Sequence, residues 1–264
     1  VDEAGIAAAR SGDAPPLSHA EASRILSAIS EVHAVLIGGQ AVNFWARLLV
    51  DPDLNAADTL LTSKDIDFVG KPDQARVCAR LLGGLAKTFR PPSLTSAEIY
   101  FQDSDGYPRV IDFLTSPGGV DGREVLETAV PITIAETGAE LLVMAPVLCL
   151  QSRVYNVMSL KRDTQLSLDQ LRASIACTRA YSRELLSALP ERDGIEEVLA
   201  INERIARLAH RERDWVALPS HHPGLDPFDA ILLDPRLPVG FHDRRYPQLK
   251  AIVDDARGRA ARHL

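Results

Sequence analysis

The stretch Leu36-Ile37-Gly38-Gly39-Gln40-Ala41, followed by Thr62-Ser63-Lys64-Asp65-Ile66-Asp67-Phe68, constrains this chain most. It reads as a buried strand, a glycine turn into a helix, and a second strand that carries two carboxylates. Side chains alternate across a strand, so Asp65 and Asp67 project to one side and Ile66 and Phe68 to the other. Two neighbouring like charges repel, and folding gains nothing from them. A divalent cation reverses that balance, and hard oxygen ligands at short spacing suit Mg²⁺ or Mn²⁺. A glycine turn at a helix N-terminus presents backbone N–H groups to an anion. A metal site beside a phosphate cradle suggests chemistry on a nucleoside triphosphate.

A third carboxylate fits this arrangement. Arg109-Val110-Ile111-Asp112-Phe113-Leu114 is a short apolar run with an acid in its middle, opened by Pro108 and closed by Thr115-Ser116-Pro117-Gly118-Gly119. Such punctuation marks a strand with defined ends. If this strand lies beside the Asp65/Asp67 strand, three carboxylates converge.

Gly38-Gly39, Asp65-Ile66-Asp67 and the later Asp112 together resemble the nucleotidyltransferase superfamily typified by DNA polymerase beta. The wording Lys64-Asp65-Ile66-Asp67 is similar to that of abortive-infection type nucleotidyltransferase toxins and their uncharacterised relatives. The resemblance covers residues 36–69 and 109–114. It implies a mixed-sheet α/β domain followed by a helical domain. It also implies Mg²⁺ or Mn²⁺ held by Asp65, Asp67 and Asp112, with Asp112 acting as metal ligand or general base. The triphosphate would lie against Gly38, Gly39 and Gln40, with Arg153 of the helical half as its cation; Lys161 and Arg162 lie in the same region. Asp169-Gln170-Leu171 resembles the Asp-x-Leu of toxin-like members. The chain departs from the family at two places. Gln40 stands where a serine hydroxyl often holds a phosphate, and the gap between Gly39 and Asp65 is long, with Asp51–Asp58 reading as an inserted loop.

Each motif has a plainer reading. Gly38-Gly39 is also an ordinary strand-to-helix turn, Asp65/Asp67 a solvated edge-strand pair, and Arg153, Lys161 and Arg162 a salt-bridged helix surface. His210, His221, His222 and His242 match no common zinc spacing. Phe44 and Trp45 suit core packing better than stacking on a base.

Composition bounds the rest. The chain has 264 residues, 46% of them hydrophobic, and a net charge of −7. That is a globular composition with a sizeable core, and its acidity argues against a broad nucleic-acid-binding face. Cys78, Cys149 and Cys177 form no paired motif and read as buried, reduced thiols. No stretch reaches the length of a membrane span and no signal peptide is legible, which gives a cytoplasmic expectation.

Residues 1–17 read as a flexible N-terminus, 18–145 as the α/β domain and 146–264 as a helical domain with an irregular tail. Ser18 and Glu21 form a capping box for a helix to Glu31. Strands are predicted at His33–Gly38, Asp65–Val69, Lys87–Arg90, Ala97–Gln102, Arg109–Leu114, Val130–Ile134 and Leu141–Met144. Helices are predicted over Gln40–Leu49, from Lys71 to Gly83, and over Pro146–Leu160, Ser167–Leu189, Gly194–Leu218 and Lys250–His263. Pro219 to Pro247 reads as irregular. The function expected is metal-dependent transfer of a nucleoside monophosphate from an NTP to an RNA 3′ end, a protein or a small molecule. Its rivals are a catalytically degenerate nucleotide-binding protein and an interaction partner in a toxin–antitoxin pair.

Overall fold

The computed structural model describes residues 15, 19–50, 66–134 and 138–262. The expected flexible N-terminus, the Ser18 cap and the loop Asp51–Asp58 lie outside the described residues. The described residues divide into two compact units, Val1–Cys149 and Leu150–Leu264.

The first unit is built on a seven-stranded sheet. Its strands are β1 (Val35–Leu36), β2 (Ile66–Val69), β3 (Leu85–Thr88), β4 (Thr95–Gln102), β5 (Pro108–Leu114), β6 (Val130–Thr133) and β7 (Glu140–Val143). They lie in the order β3-β4-β5-β2-β1-β7-β6. β2 runs parallel to β5 and β1 parallel to β7; the other pairs are antiparallel. The sheet is therefore mixed, as expected.

Alternation sorts each strand into two faces. On β5, Arg109, Ile111 and Phe113 are buried while Val110, Asp112 and Leu114 are half-buried. Helices α1 (His19–Ser30) and α3 (Pro72–Leu81) cover the face that holds Ile111 and Phe113. The Arg24 guanidinium of α1 lies over the Phe101 ring, and Ile25 and Ile29 are buried. Pro72 stands in the first turn of α3, and Gln74 closes its N-terminus by accepting from the Lys71 N–H at 2.6 Å. Its amide also donates to the Val32 carbonyl, tying the helix to the entry of β1. Burying a Phe or Ile here is worth about 1.5–3 kcal/mol each. Val77 and Leu81 of α3 are exposed. Ala75, Cys78 and Ala79 make the contact, because a small-residue stripe brings the helix close to the sheet. A short helix α4 (Gly122–Glu127), capped by the Asp121 side chain, was not expected.

From Pro146 onward the chain is helical: α5 (Pro146–Met158), α6 (Gln165–Ala188), α7 (Glu191–Arg211), α8 (Arg213–His221) and α9 (Tyr246–Ala261). The Thr164 hydroxyl caps α6. The single helix expected over Gly194–Leu218 is broken at Glu212, whose backbone is extended at φ −87° and ψ 122°. The break redirects the chain so that Trp215 and Leu218 enter the core. The segment expected to be irregular contains a 3₁₀ turn (Pro227–Ala230) and a π-helical turn (Phe241–Arg245). Among the described residues no helix is long and apolar enough to cross a membrane.

Two polar clamps hold this unit. Asn202, fully buried on α7, donates to the Leu232 carbonyl and accepts from the Leu232 N–H, both at 3.0 Å. Arg236 donates to both Asp234 oxygens and to the Leu186 carbonyl at the end of α6. Those hydrogen bonds hold the Asp234 carboxyl down at about 2, against 3.8 ordinarily.

Asn202→Ala strands a buried N–H and a buried carbonyl, so it should cost about 2–4 kcal/mol in urea-induced unfolding. The Asp234 pKa is lower folded than unfolded, so its stabilisation is present above about pH 4 and lost as pH falls towards about 2. Acid titrations of wild type and Arg236→Ala should diverge above that window and converge below it.

Candidate active site

The site begins with the register of β2 and β5. Ile66 pairs with Ile111, Asp67 with Asp112 and Phe68 with Phe113. The apolar pairs lie on the helix-covered face, where the Phe68 and Phe113 rings pack 6.0 Å apart. Alternation then puts Asp67 and Asp112 side by side on the opposite face, both half-buried. Neighbouring strands are about 4.8 Å apart, so the two carboxylates stand close enough for one cation to lie between them.

The glycine turn closes on the same place. The Ile37 N–H donates to the Asp67 carbonyl at 3.0 Å, extending the β1–β2 ladder up to the turn. Helix α2 (Gly38–Leu49) starts at the next residue. Gly38 has φ +71°, and a Cβ there would lie 2.8 Å from Asp67 Oδ2. Both facts demand glycine: the left-handed conformation penalises a side chain, and the carboxylate occupies the space. The first turn of α2 therefore starts against the Asp67 carboxylate, with its positive dipole end in that place. The close approach that the structure shows at this turn is made by Gly38, to the Asp67 carboxylate.

Gln40 lies in the same first turn, 3% exposed. Neither its Nε2 nor its Oε1 has a hydrogen-bond partner among the described residues. Trp45, further along α2, is a core residue, and its indole N–H donates to the Met144 carbonyl at 2.8 Å.

The row of acids extends one strand further. Glu98 of β4 is the register partner of Asp112, and Lys87 of β3 is the partner of Glu98. Glu98 is 9% exposed and accepts a hydrogen bond from the Tyr100 hydroxyl. Sequence reasoning missed both residues. The signal was the alternation of Glu98 and Tyr100 with Ala97, Ile99 and Phe101.

Other candidates stand elsewhere. Asp65 lies outside the described residues, as do Ser63 and Lys64. Arg153 belongs to the second unit, where it donates to the Gln170 amide oxygen at 2.9 Å. Lys161 and Arg162 are exposed. His210 and His242 hydrogen-bond to the carbonyls of Ala206 and Asp234. Cys78 and Cys177 are buried, which pushes both thiols up to about 12 and removes them as nucleophiles.

Among the described residues no group of three or more His, Cys, Asp or Glu side chains is placed to hold a metal ion. The adjacent Asp67 and Asp112 suit Mg²⁺ nonetheless, because that ion usually takes one or two carboxylates and completes its shell with waters and substrate phosphates.

No protein-family model matches the sequence, and no curated protein is significantly similar to it. Among solved structures, the chain is similar to the Megavirus polyadenylate synthase, with a TM-score of 0.40 and 10% identity over 79% of this chain and 46% of that one. It thus spans about half the length of the viral protein. It is also similar to an antigenic nucleotidyltransferase-like protein from Paracoccidioides brasiliensis, with a TM-score of 0.41 and 14% identity over 86% of this chain and 100% of that one. The second carries the fold name that the residue pattern resembles. At these scores neither likeness carries an argument about chemistry.

Gly38→Ala should cost about 1–2 kcal/mol in thermal or chemical unfolding through the left-handed backbone alone. Its new methyl would also displace the Asp67 carboxylate, so a crystal structure of the variant should show that side chain rotated.

Proposed function

We propose that this chain is a metal-dependent nucleotidyltransferase that moves a nucleoside monophosphate from an NTP to an acceptor hydroxyl. The observation that carries the reading is the in-register pairing of Asp67 with Asp112, on one sheet face and against the first turn of α2. Asp67 and Asp112, with Asp65, are the residues that would hold Mg²⁺ or Mn²⁺. When bound, such an ion neutralises charge on the triphosphate and lowers the pKa of the attacking hydroxyl.

The chain's own groups do the remaining work. The Gly38-Gly39 turn offers backbone N–H groups to the triphosphate, at the end of α2 where anions are favoured. The Gln40 amide supports the same assignment, because a buried amide without a partner costs about 1–3 kcal/mol that a phosphate oxygen would recover. Asp112 would act as metal ligand or as the general base that takes the acceptor's proton. The bond formed joins the acceptor oxygen to the α-phosphorus; the bond broken releases pyrophosphate. The acceptor is an RNA 3′ end, a protein side chain or a small molecule, and label transfer names which.

Incubation with each α-labelled NTP, Mg²⁺ and a cell extract should label one acceptor class. Asp67→Asn and Asp112→Asn should each reduce that labelling by at least about a thousandfold while leaving the fold intact. Gln40→Ala should weaken NTP binding by about 1 kcal/mol in calorimetric titration. A wild-type protein that binds none of the four NTPs at millimolar concentration would end the catalytic reading in favour of a degenerate interaction protein.

A further inference from the structure

The cations of the second unit are of two kinds. Arg172, Arg192, Arg245 and Arg259 are typical of those held by a neighbouring carboxylate. Lys161, Arg162, Arg207 and Arg213 are exposed and make no ion pair among the described residues. These last four gather at one end of the unit. Arg204 donates to the Gln151 amide oxygen at 2.7 Å, so that side of α7 faces α5. Arg207 and Arg211 follow Arg204 at helical spacing and share that side. Arg211 is also exposed, and its Nε donates to His210 Nε2 at 3.2 Å, a contact that neutralises no charge. Just past the end of α5, the Ser159 hydroxyl donates to the Asp214 carboxylate in the first turn of α8. That bond sets Lys161 and Arg162, two and three residues on, beside Arg213.

The acids nearby do not cancel this charge. Asp214 is engaged by Ser159, and Asp163 and Glu212 are exposed and pair with none of these cations. In a chain of net charge −7, a local excess of positive potential attracts an anionic polymer to one place. Lys161 also has a left-handed backbone, φ 52°, a conformation that a lysine seldom adopts. The uncharged surroundings narrow the class of polymer. Tyr155 and Met158 lie one and two turns beyond Gln151 on the same side of α5, both half-buried. Leu160 is 45% exposed and Leu166 67% exposed, on either side of the Lys161-Arg162 pair. Cations beside aromatic and apolar side chains suit a single strand, whose phosphates meet the charges and whose unstacked bases meet the rest. A duplex keeps its bases stacked and leaves Tyr155, Leu160 and Leu166 without a partner. Arg207 and Arg211 are about 6 Å apart along α7, close to two steps of about 3.4 Å along a stacked strand.

We propose that Lys161, Arg162, Arg207, Arg211 and Arg213, around Tyr155, form a surface that binds single-stranded nucleic acid through its phosphates. The surface uses none of the residues of the proposed transfer site and needs neither metal nor NTP. It therefore stands or falls separately from the transfer reading.

The test is fluorescence anisotropy of a labelled oligouridylate of about twelve nucleotides, titrated with full-length protein without NTP or divalent metal, between about 50 and 200 mM salt. Wild type should bind at micromolar concentration, more weakly as salt rises. Arg207→Ala with Arg211→Ala, and separately Lys161→Ala with Arg162→Ala, should each weaken binding at least about tenfold and lower the slope of log affinity against log salt by about 2. Arg192→Ala removes an exposed, paired arginine of the same unit and should bind as wild type. A wild type that does not bind overturns the inference, as does either double variant with wild-type affinity. An equal loss in Arg192→Ala overturns it too, since the attraction would then be diffuse charge. A hairpin duplex bound as tightly as the single strand overturns the single-strand assignment. Polyglutamate that displaces the strand at equal charge overturns it in favour of an acidic protein partner. If circular dichroism shows that one double variant does not fold, the other decides. Asp67→Asn should bind the strand as wild type while losing transfer, so failure of the surface and failure of the transfer reading are read apart.

Discussion

The parallel register between β2 and β5 is the constraint on which the first unit depends, because it decides two things at once. With Phe68 opposite Phe113 and Ile66 opposite Ile111, the apolar side chains meet on the face that α1 and α3 cover. The same register leaves Asp67 opposite Asp112 on the other face. A slip of β2 by one residue would send Asp67 under the helices and Phe68 out. Core packing therefore selects the geometry that brings the acids together. The electrostatic cost of the acid pair is offset by apolar burial immediately behind it.

The glycine turn is coupled to that register through short-range sterics. The Ile37 N–H bonds to the Asp67 carbonyl, which fixes where β1 ends relative to β2. The chain must then turn within one residue of a carboxylate, and the left-handed conformation of Gly38 is the solution that leaves Oδ2 its space. The start of α2 and the position of Asp67 are thus one structural decision. An anion-favouring helix end and a cation-favouring carboxylate come to lie next to each other, which is what binding a metal–phosphate complex requires.

The second unit is organised differently. Its long helices bury a modest apolar stripe, and several of its buried positions on α6 are small and hydroxylated: Ser174, Thr178 and Ser182 each bond back to the carbonyl four residues earlier. The segment between α8 and α9, short of regular structure, is held by polar clamps. Asn202 binds Leu232 through both backbone groups, Arg236 ties Asp234 to the end of α6, and Arg257 makes two hydrogen bonds to Asp226. Directional bonds specify a path for a loop that has too little hydrophobic periodicity to specify its own.

The local pattern of the chain was enough for the seven strands and most helices, because alternation and turn residues are written in consecutive positions. It was enough to propose Asp67 and Asp112 as partners and to place Trp45 in the core. It did not reveal the break at Glu212, since both sides of the break keep helical periodicity and only burial of Trp215 and Leu218 demands the change of direction. It did not distinguish Gly38 from Gly39, because the need for glycine comes from an oxygen on a residue 29 positions away in the chain. Nor did it find Glu98 and Tyr100, which look like any strand residues until β4 is set beside β5. Secondary structure and face were determined by neighbours in sequence; register across strands, and with it the row of charges, was decided only by the tertiary fold.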